Sequence, residues 1–398
     1  MNHSSSNATD ASAFELARTR FPGALDKVYM DVASRGLIPG SAGDLAARHL
    51  QARIEGVADK KHYFALVEAA RAKFARLIGA HVDEIAITKN VSEGLNILAG
   101  AMAWEQGDEV VLCSAIEHPN NIYAWRNLRA RGVTVTDLPG DNGAFPLQAA
   151  LDHLSKPGRA PKVMTVSGTS FKPGFRVDLE VLSRACEQRG TLLVVDAAQS
   201  VGIAHLDVGA HPIAALAAST QKGLCALYGM GFLYVRREWA NRMQPQGLAR
   251  FGVEIDARHE ADYDPGPIRY RDAALRFDLG NYNFLAAALV GDSLDLLLSL
   301  GTRRIDDHVM RLSGRLAAGL QDVGAAVMRH TRAQPSNIVC IGFQDDARRA
   351  AGVLEGLKAR KVHATVRGSL LRYSLHLYNN QDDVDAAIAA TRAALAGL

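Results

Sequence analysis

The chain has little of what covalent cross-linking or a lipid bilayer would require. It holds four cysteines among 398 residues, Cys113, Cys186, Cys225 and Cys340, and they lie far apart. No CxxC pair and no histidine at zinc-ligand spacing accompanies them, which excludes a disulfide scaffold and a zinc ribbon. They read as reduced, mostly buried thiols. A run of about 18 apolar residues is missing, so no transmembrane helix is expected. Charge of one sign is missing too. The 45 Lys+Arg nearly balance the 42 Asp+Glu, leaving +3, so neither a nucleic-acid groove nor a membrane-binding basic face is expected. There is no internal repeat, and the first 13 residues, polar and without an apolar signal core, read as a frayed tail of a cytoplasmic protein.

What is present is an ordinary globular composition, 48% hydrophobic and 22% charged, long enough for two or three domains. Short β-rich apolar runs occur at 109–113, 133–136, 162–166, 191–195, 213–218 and 231–235. Helical periodicity fills the gaps at 93–104, 121–131, 147–154 and 179–189. Strands alternating with helices, the strands apolar throughout, predict an α/β fold with a mostly parallel sheet covered on both faces. This large domain is expected over 50–285. After it, helices at 284–300, 305–323, 347–358 and 381–395 and strands at 325–329, 338–343 and 371–375 predict a smaller C-terminal α+β domain over 286–398. Residues 14–49 are expected to pack on the small domain and the mouth of the site.

Ligands of open parallel sheets bind beyond the carboxyl ends of the strands. The residues there are Ser114, Glu117 and His118; Ser167, Thr169 and Ser170; Asp196 and Gln199; and Ser219, Thr220, Gln221 and Lys222. Asp196 ends a Leu-Leu-Val-Val strand, and a buried carboxylate needs a partner. Alone it reads equally as a helix cap, and Lys222 alone as a solvated surface charge. Together, with the glycine-rich return at Gly229–Gly231, they fit a Schiff-base lysine and an acid for a pyridinium nitrogen, which is what pyridoxal requires. The stretch Thr88–Gly94 opens a periodic helix whose N-terminus and Ser92 suit an anion. No G-x-S-x-G elbow is present, which argues against an α/β hydrolase.

Several motifs together resemble the class V aminotransferase family of fold-type I pyridoxal 5′-phosphate (PLP) enzymes, which includes cysteine desulfurases, isopenicillin-N epimerases, sulfoxide lyases and kynureninase-like enzymes. They are Tyr29–Ser34, Glu117–Asn121, Val194–Gln199, Ser219–Gly223, Arg276–Asn281 and Arg372–Leu375. The resemblance covers nearly the whole chain after the tail. It implies that Lys222 carries the cofactor, that Asp196 pairs with the pyridine nitrogen, and that Gln199 bonds the phenolic oxygen. It implies that His118 stacks on the ring, that Val91, Ser92, Ser219 and Gln221 hold the phosphate, and that Asn281 reaches the phosphate site of a second subunit. A homodimer with its site at the subunit interface follows. Arg372 would clamp the α-carboxylate of an amino-acid substrate, with Ala33 and Arg35 nearby.

The chain also departs from the desulfurase branch. The segment 361–370 holds no cysteine before Arg372, and Cys340 comes too early to serve. Gln221 stands where desulfurases usually have histidine before the lysine. Segment 170–178 resembles the epimerase, kynureninase and sulfoxide-lyase branches instead. The resulting expectation is C–S β-elimination from a cysteine-derived amino acid without persulfide formation. Transamination is the alternative, followed by epimerisation or a silent, regulatory PLP-binding role.

Overall fold

The structure is a computed structural model that describes residues 12–255, 264–328 and 334–397. Most of the expected tail lies outside the described residues, but residues 12 and 13 already belong to a helix over 12–18. Twelve strands, numbered in chain order, form three sheets among the described residues.

The largest sheet has seven strands: β2 (Ile85–Thr88), β3 (Glu109–Leu112), β4 (Thr134–Asp137), β5 (Val163–Ser167), β6 (Leu192–Asp196), β7 (Ala215–Ser219) and β8 (Gly231–Val235). Their spatial order is β2-β8-β7-β6-β5-β3-β4, and only β8 runs antiparallel to its neighbours. All residues of β5 to β8 are buried. Alternate side chains of one strand enter two different cores: Leu193 and Val195 go with one cluster, Leu192 and Val194 with the other. A sheet whose strands are apolar throughout needs cover on both faces, and helices such as Val91–Ala101 and Leu179–Arg189 supply it.

The mostly parallel α/β sheet and the small α+β layer are as expected. Three details differ. Strand β2 and the helix Lys60–Ile78 were not anticipated. The four residues of β2 are too few for a periodic signal, and Asp278 completes the pairing by accepting from the Ile87 amide at 2.9 Å. The strand expected at 325–329 shrinks to one bridge, Val327 to Ile341, and residue 329 lies outside the described residues. The helix expected over 93–104 is Val91–Ala101, because Met102 turns to extended backbone.

A three-stranded antiparallel sheet, β11-β12-β9, is built from Thr365–Arg367, Leu370–Ser374 and Ile338–Gly342. The N-terminal strand β1 (Val28–Tyr29) pairs in parallel with β10 (Val362–His363), and Asp31 bridges to Ser374. The segment after β1 is thereby stitched beside β12. No single helix among the described residues is long and apolar enough to cross a membrane.

Candidate active site

Strands β5, β6 and β7 run parallel; Ser167 pairs with Asp196, Asp196 with Ala217, and Ser219 follows two residues further at the same sheet edge. The chain steps outward from β3 to β4 and then returns to β5 on the other side of β3, so the strand order reverses there. A cavity of about 240 Å³ lies at this carboxyl edge, the usual ligand site of such sheets. It brings together Val91, Ser92, His118, Asp196, Gln199, Ser219, Gln221 and Lys222. Asn90, Asn120, Ser167, Phe171, Ala198 and Tyr228 complete its wall.

Asp196 is 5% exposed, and burial raises its pKa. Among the described residues its carboxylate accepts one hydrogen bond, from the Ala198 amide to Oδ1 at 3.0 Å. A buried carboxylate with so few donors calls for a cationic or N–H partner in the cavity. Lys222 is half-buried with its amine desolvated, which pushes its pKa down to about 8, while Asp196 pulls the other way. Arg372 and Arg367 depress it further. A lysine held this way has a far larger neutral fraction near physiological pH than an exposed one, and the neutral amine is the nucleophilic form.

The turn that carries Lys222 is clamped by backbone. A Cβ on Gly223 would lie 2.2 Å from the Val201 carbonyl oxygen, and one on Gly36 would lie 2.3 Å from that of Lys222. The Gly36 amide donates to Gln221 O at 2.8 Å, and His376 Nε2 donates to Gly223 O at 2.8 Å. Burial holds His376 down at about 4, so the ring is neutral and donates from that nitrogen.

The anion cradle is the start of the helix Val91–Ala101. Asn90 caps it, its Oδ1 accepting from the Glu93 amide at 2.9 Å. The amides of Val91 and Ser92, in the first turn, have no intrahelical acceptor, and both residues line the cavity. Ser92 Oγ accepts from Asn120 Nδ2 at 2.7 Å. Behind the cavity, buried Glu117 accepts from the Ser167 amide, Ser167 Oγ and Asn121 Nδ2 at 2.6–2.7 Å. Burial nonetheless raises Glu117 to about 7. His118 meets Phe171 edge to face at 5.5 Å, and burial together with Lys222 lowers its pKa. Gln199 Nε2 donates to Ala33 O at 3.0 Å, leaving a second hydrogen on that nitrogen, and its buried Oε1 has no partner.

These features fit a pyridoxal phosphate. They comprise a depressed lysine, an under-bonded buried carboxylate, a planar imidazole over the cavity, and an open helix N-terminus flanked by hydroxyls.

Four expected residues lie outside this cavity's lining. Ala33 is buried, and its carbonyl accepts from Gln199 Nε2. Arg372 is 1% exposed on β12, where Nη1 donates to Phe171 O at 2.8 Å and Nη2 to Ser34 Oγ at 2.9 Å. Its buried Nε has no partner. Asn281, at φ 46°, lines a different cavity of about 330 Å³ with Lys89, Glu93 and Gly229. Arg35 is exposed. The sequence reading assigned no role to Ser34, Asp31, Tyr228, Phe171 or Arg367. For Arg367 a signal existed: the alternation Thr365-Val366-Arg367 before Gly368-Ser369 marks a hairpin that returns to Arg372.

The aminotransferase class-V family model matches residues 49–387. A Bacillus subtilis relative carrying the name uncharacterized aminotransferase YcbU is 30% identical over 322 residues, 81% of this chain and 82% of the relative. The structure is similar to an apo cysteine desulfurase from Thermococcus onnurineus, with TM-score 0.83 at 23% identity, covering 96% of this chain and 98% of that one. It is also similar to the cystine C–S lyase C-DES in complex with its product cysteine persulfide, with TM-score 0.82 at 21% identity, covering 94% and 99%. A lysine-to-alanine variant of C-DES holds glycine covalently linked to its PLP.

Proposed function

The chain belongs to the aminotransferase class-V family of PLP-dependent enzymes, and on that premise we propose that it cleaves the C–S bond of a cysteine-derived α-amino acid by β-elimination. The observation that carries the cofactor reading is the meeting of Lys222 and Asp196 in one cavity beside an open helix N-terminus. PLP, when bound, supplies an electron sink for the pair left at Cα. Lys222 would hold it through Nζ, Asp196 would keep the ring nitrogen protonated, and the second Gln199 Nε2 hydrogen would serve the phenolic oxygen. The Val91 and Ser92 amides, Ser92, Ser219 and Gln221 hold the phosphate, while His118 covers one ring face.

Once a substrate amine displaces it, Lys222 is a free amine that takes the α-proton. Desolvation favours its neutral form, and Arg372 and Arg367 also oppose an ammonium there, against the pull of Asp196. Arg372 Nε, buried and unpartnered, is the donor best suited to a substrate carboxylate. The C–S electron pair then leaves with sulfur, which takes a proton and departs as a thiol. Sulfur capture by the protein itself is disfavoured. All four cysteines are buried and free, and burial raises Cys113 to about 11 and Cys186 and Cys340 to about 12. A protonated thiol is a poor sulfur acceptor.

Transamination is the second reading, favoured by the 30%-identical relative that carries an aminotransferase name. The homodimer belongs to the proposal as well, with Asn281 of one protomer turned toward the phosphate site of its partner. Both reactions are separated by mixing the PLP-loaded protein with cysteine, its S-conjugates and sulfoxides, without a keto acid. Release of pyruvate and thiol with the original absorbance restored supports elimination. Lasting conversion to the pyridoxamine form supports transamination and overturns elimination.

A further inference from the structure

Two guanidiniums share one hydroxyl beside the candidate site. Arg367 Nη2 and Arg372 Nη2 donate to Ser34 Oγ at 3.0 and 2.9 Å. Both acceptor sites of the Ser34 hydroxyl are thereby taken, so the serine aligns the two arginines.

The hairpin register explains why they converge. Thr365 pairs with Arg372 and Arg367 with Leu370, so these four side chains occupy one face and the two cations are diagonal neighbours. Like charges so placed oppose each other, and Arg367 lowers the pKa of Arg372. Among the described residues, the recorded acceptors of Arg367 are all neutral: Ser34 Oγ, Thr365 Oγ1 and Val366 O. The carboxylate nearest to Arg372 is that of Asp31, at 3.9 Å, too long for a hydrogen bond. Arg367 is half-buried, and its charge depresses both His118 and Lys222. Ser34 adjoins Ala33, whose carbonyl accepts from Gln199 of the cavity wall, and Arg372 donates to Phe171 O of the same wall, so Arg367 is tied through Ser34 to the edge of the candidate site.

The geometry points to Arg367 as the receptor for a second anionic group, so that the substrate is an α-amino acid whose side chain ends in a carboxylate or another oxyanion. This rests on the reading above, in which Arg372 takes the α-carboxylate. A β-hairpin cation held by neutral oxygens is free to form a bidentate pair with an incoming acid.

S-carboxymethylcysteine and S-carbamidomethylcysteine test it, because both are cysteine thioethers and differ in an ionised acid against a neutral amide. PLP-loaded protein is titrated with each at pH 7.5 and low salt, and the dissociation constant is read from the cofactor absorbance. The acid is expected to bind about tenfold tighter or more. Arg367→Gln brings the two constants within about threefold, and Arg367→Lys keeps most of the preference, since charge remains without the fork. Melting curves of both variants check that they fold. Aspartate against asparagine repeats the comparison with no sulfur in either. An acid preference that is absent from the wild type, or unchanged in Arg367→Gln, overturns the inference. Alanine separates the two failures. A cofactor response to alanine without acid preference overturns only the role of Arg367, whereas no response to any amino acid overturns the cofactor reading and this inference with it.

Discussion

At the scale of single residues, Lys222 sets two expectations. Its folded pKa, about 8, lies below the ordinary 10.5. The folded chain therefore binds this proton less tightly than the unfolded chain. Below pH 8 the buried ammonium is a burden of about 3 kcal/mol, and that burden fades as pH rises from 8 toward 10.5. Lys222→Met without cofactor should thus melt above the wild type at pH 7, with the gap closing at pH 9–10; a gap that does not vary with pH would contradict it. The neutral amine is also the form that attacks an aldehyde. The rate at which cofactor-free protein takes up pyridoxal phosphate should climb through pH 8 and level off, as followed by stopped-flow absorbance. Asp196→Asn removes the charge that holds the ring nitrogen protonated. Turnover should fall on the order of 10²-fold or more while the phosphate is still held.

At the scale of elements, the turn between β7 and β8 decides where Lys222 points. It is pinned by close backbone approach and by the His376 ring donating to Gly223 O. Gly223→Ala would press a methyl against the Val201 carbonyl at 2.2 Å, and neither backbone can yield. A destabilisation of about 3 kcal/mol or more is expected from the denaturant midpoint, with loss of cofactor uptake in the fraction that still folds. The same turn shows what was legible. The Ser-Thr-Gln-Lys-Gly string and the apolar strand before it place Lys222 at a strand end. That Gly36, Gly202 and His376 close on it from three distant segments could not be read, because none of them carries a local pattern.

At the scale of the whole molecule, one buried ion pair joins the helix Lys60–Ile78 to the segment leading to Asn281. Arg71 Nη2 meets Asp278 Oδ2 at 2.6 Å, with both side chains at most 1% exposed. Asp278 also accepts from the Ile87 amide at 2.9 Å and from Tyr282 OH at 2.8 Å. Burial lowers the pKa of Arg71, but Asp278 and Glu68 raise it by more, so the guanidinium is held firmly in its charged form. Asp278→Ala leaves that guanidinium buried without its partner and should cost about 3–5 kcal/mol by chemical denaturation. Strand β2 runs directly into the anion cradle at Asn90. Phosphate affinity should therefore weaken in this variant, whereas a purely local pair would leave it unchanged.

The sequence by itself determined the elements that repeat a period. Five-residue apolar strands, the helices between them and the chemistry at their carboxyl ends are all local patterns, because a strand buried on both faces must be apolar throughout. It determined Asp196 and Lys222 as a pair for the same reason: a charge after a buried strand has few other uses. Tertiary structure decided what depends on contact between remote segments. Ser34, Arg367 and Arg372 meet because β11 and the segment after β1, more than 300 residues apart in the chain, lie along the same edge of β12. It also set the depressed pKa of Lys222, since desolvation and neighbouring charge are properties of the folded surroundings and not of a residue or its sequence neighbours.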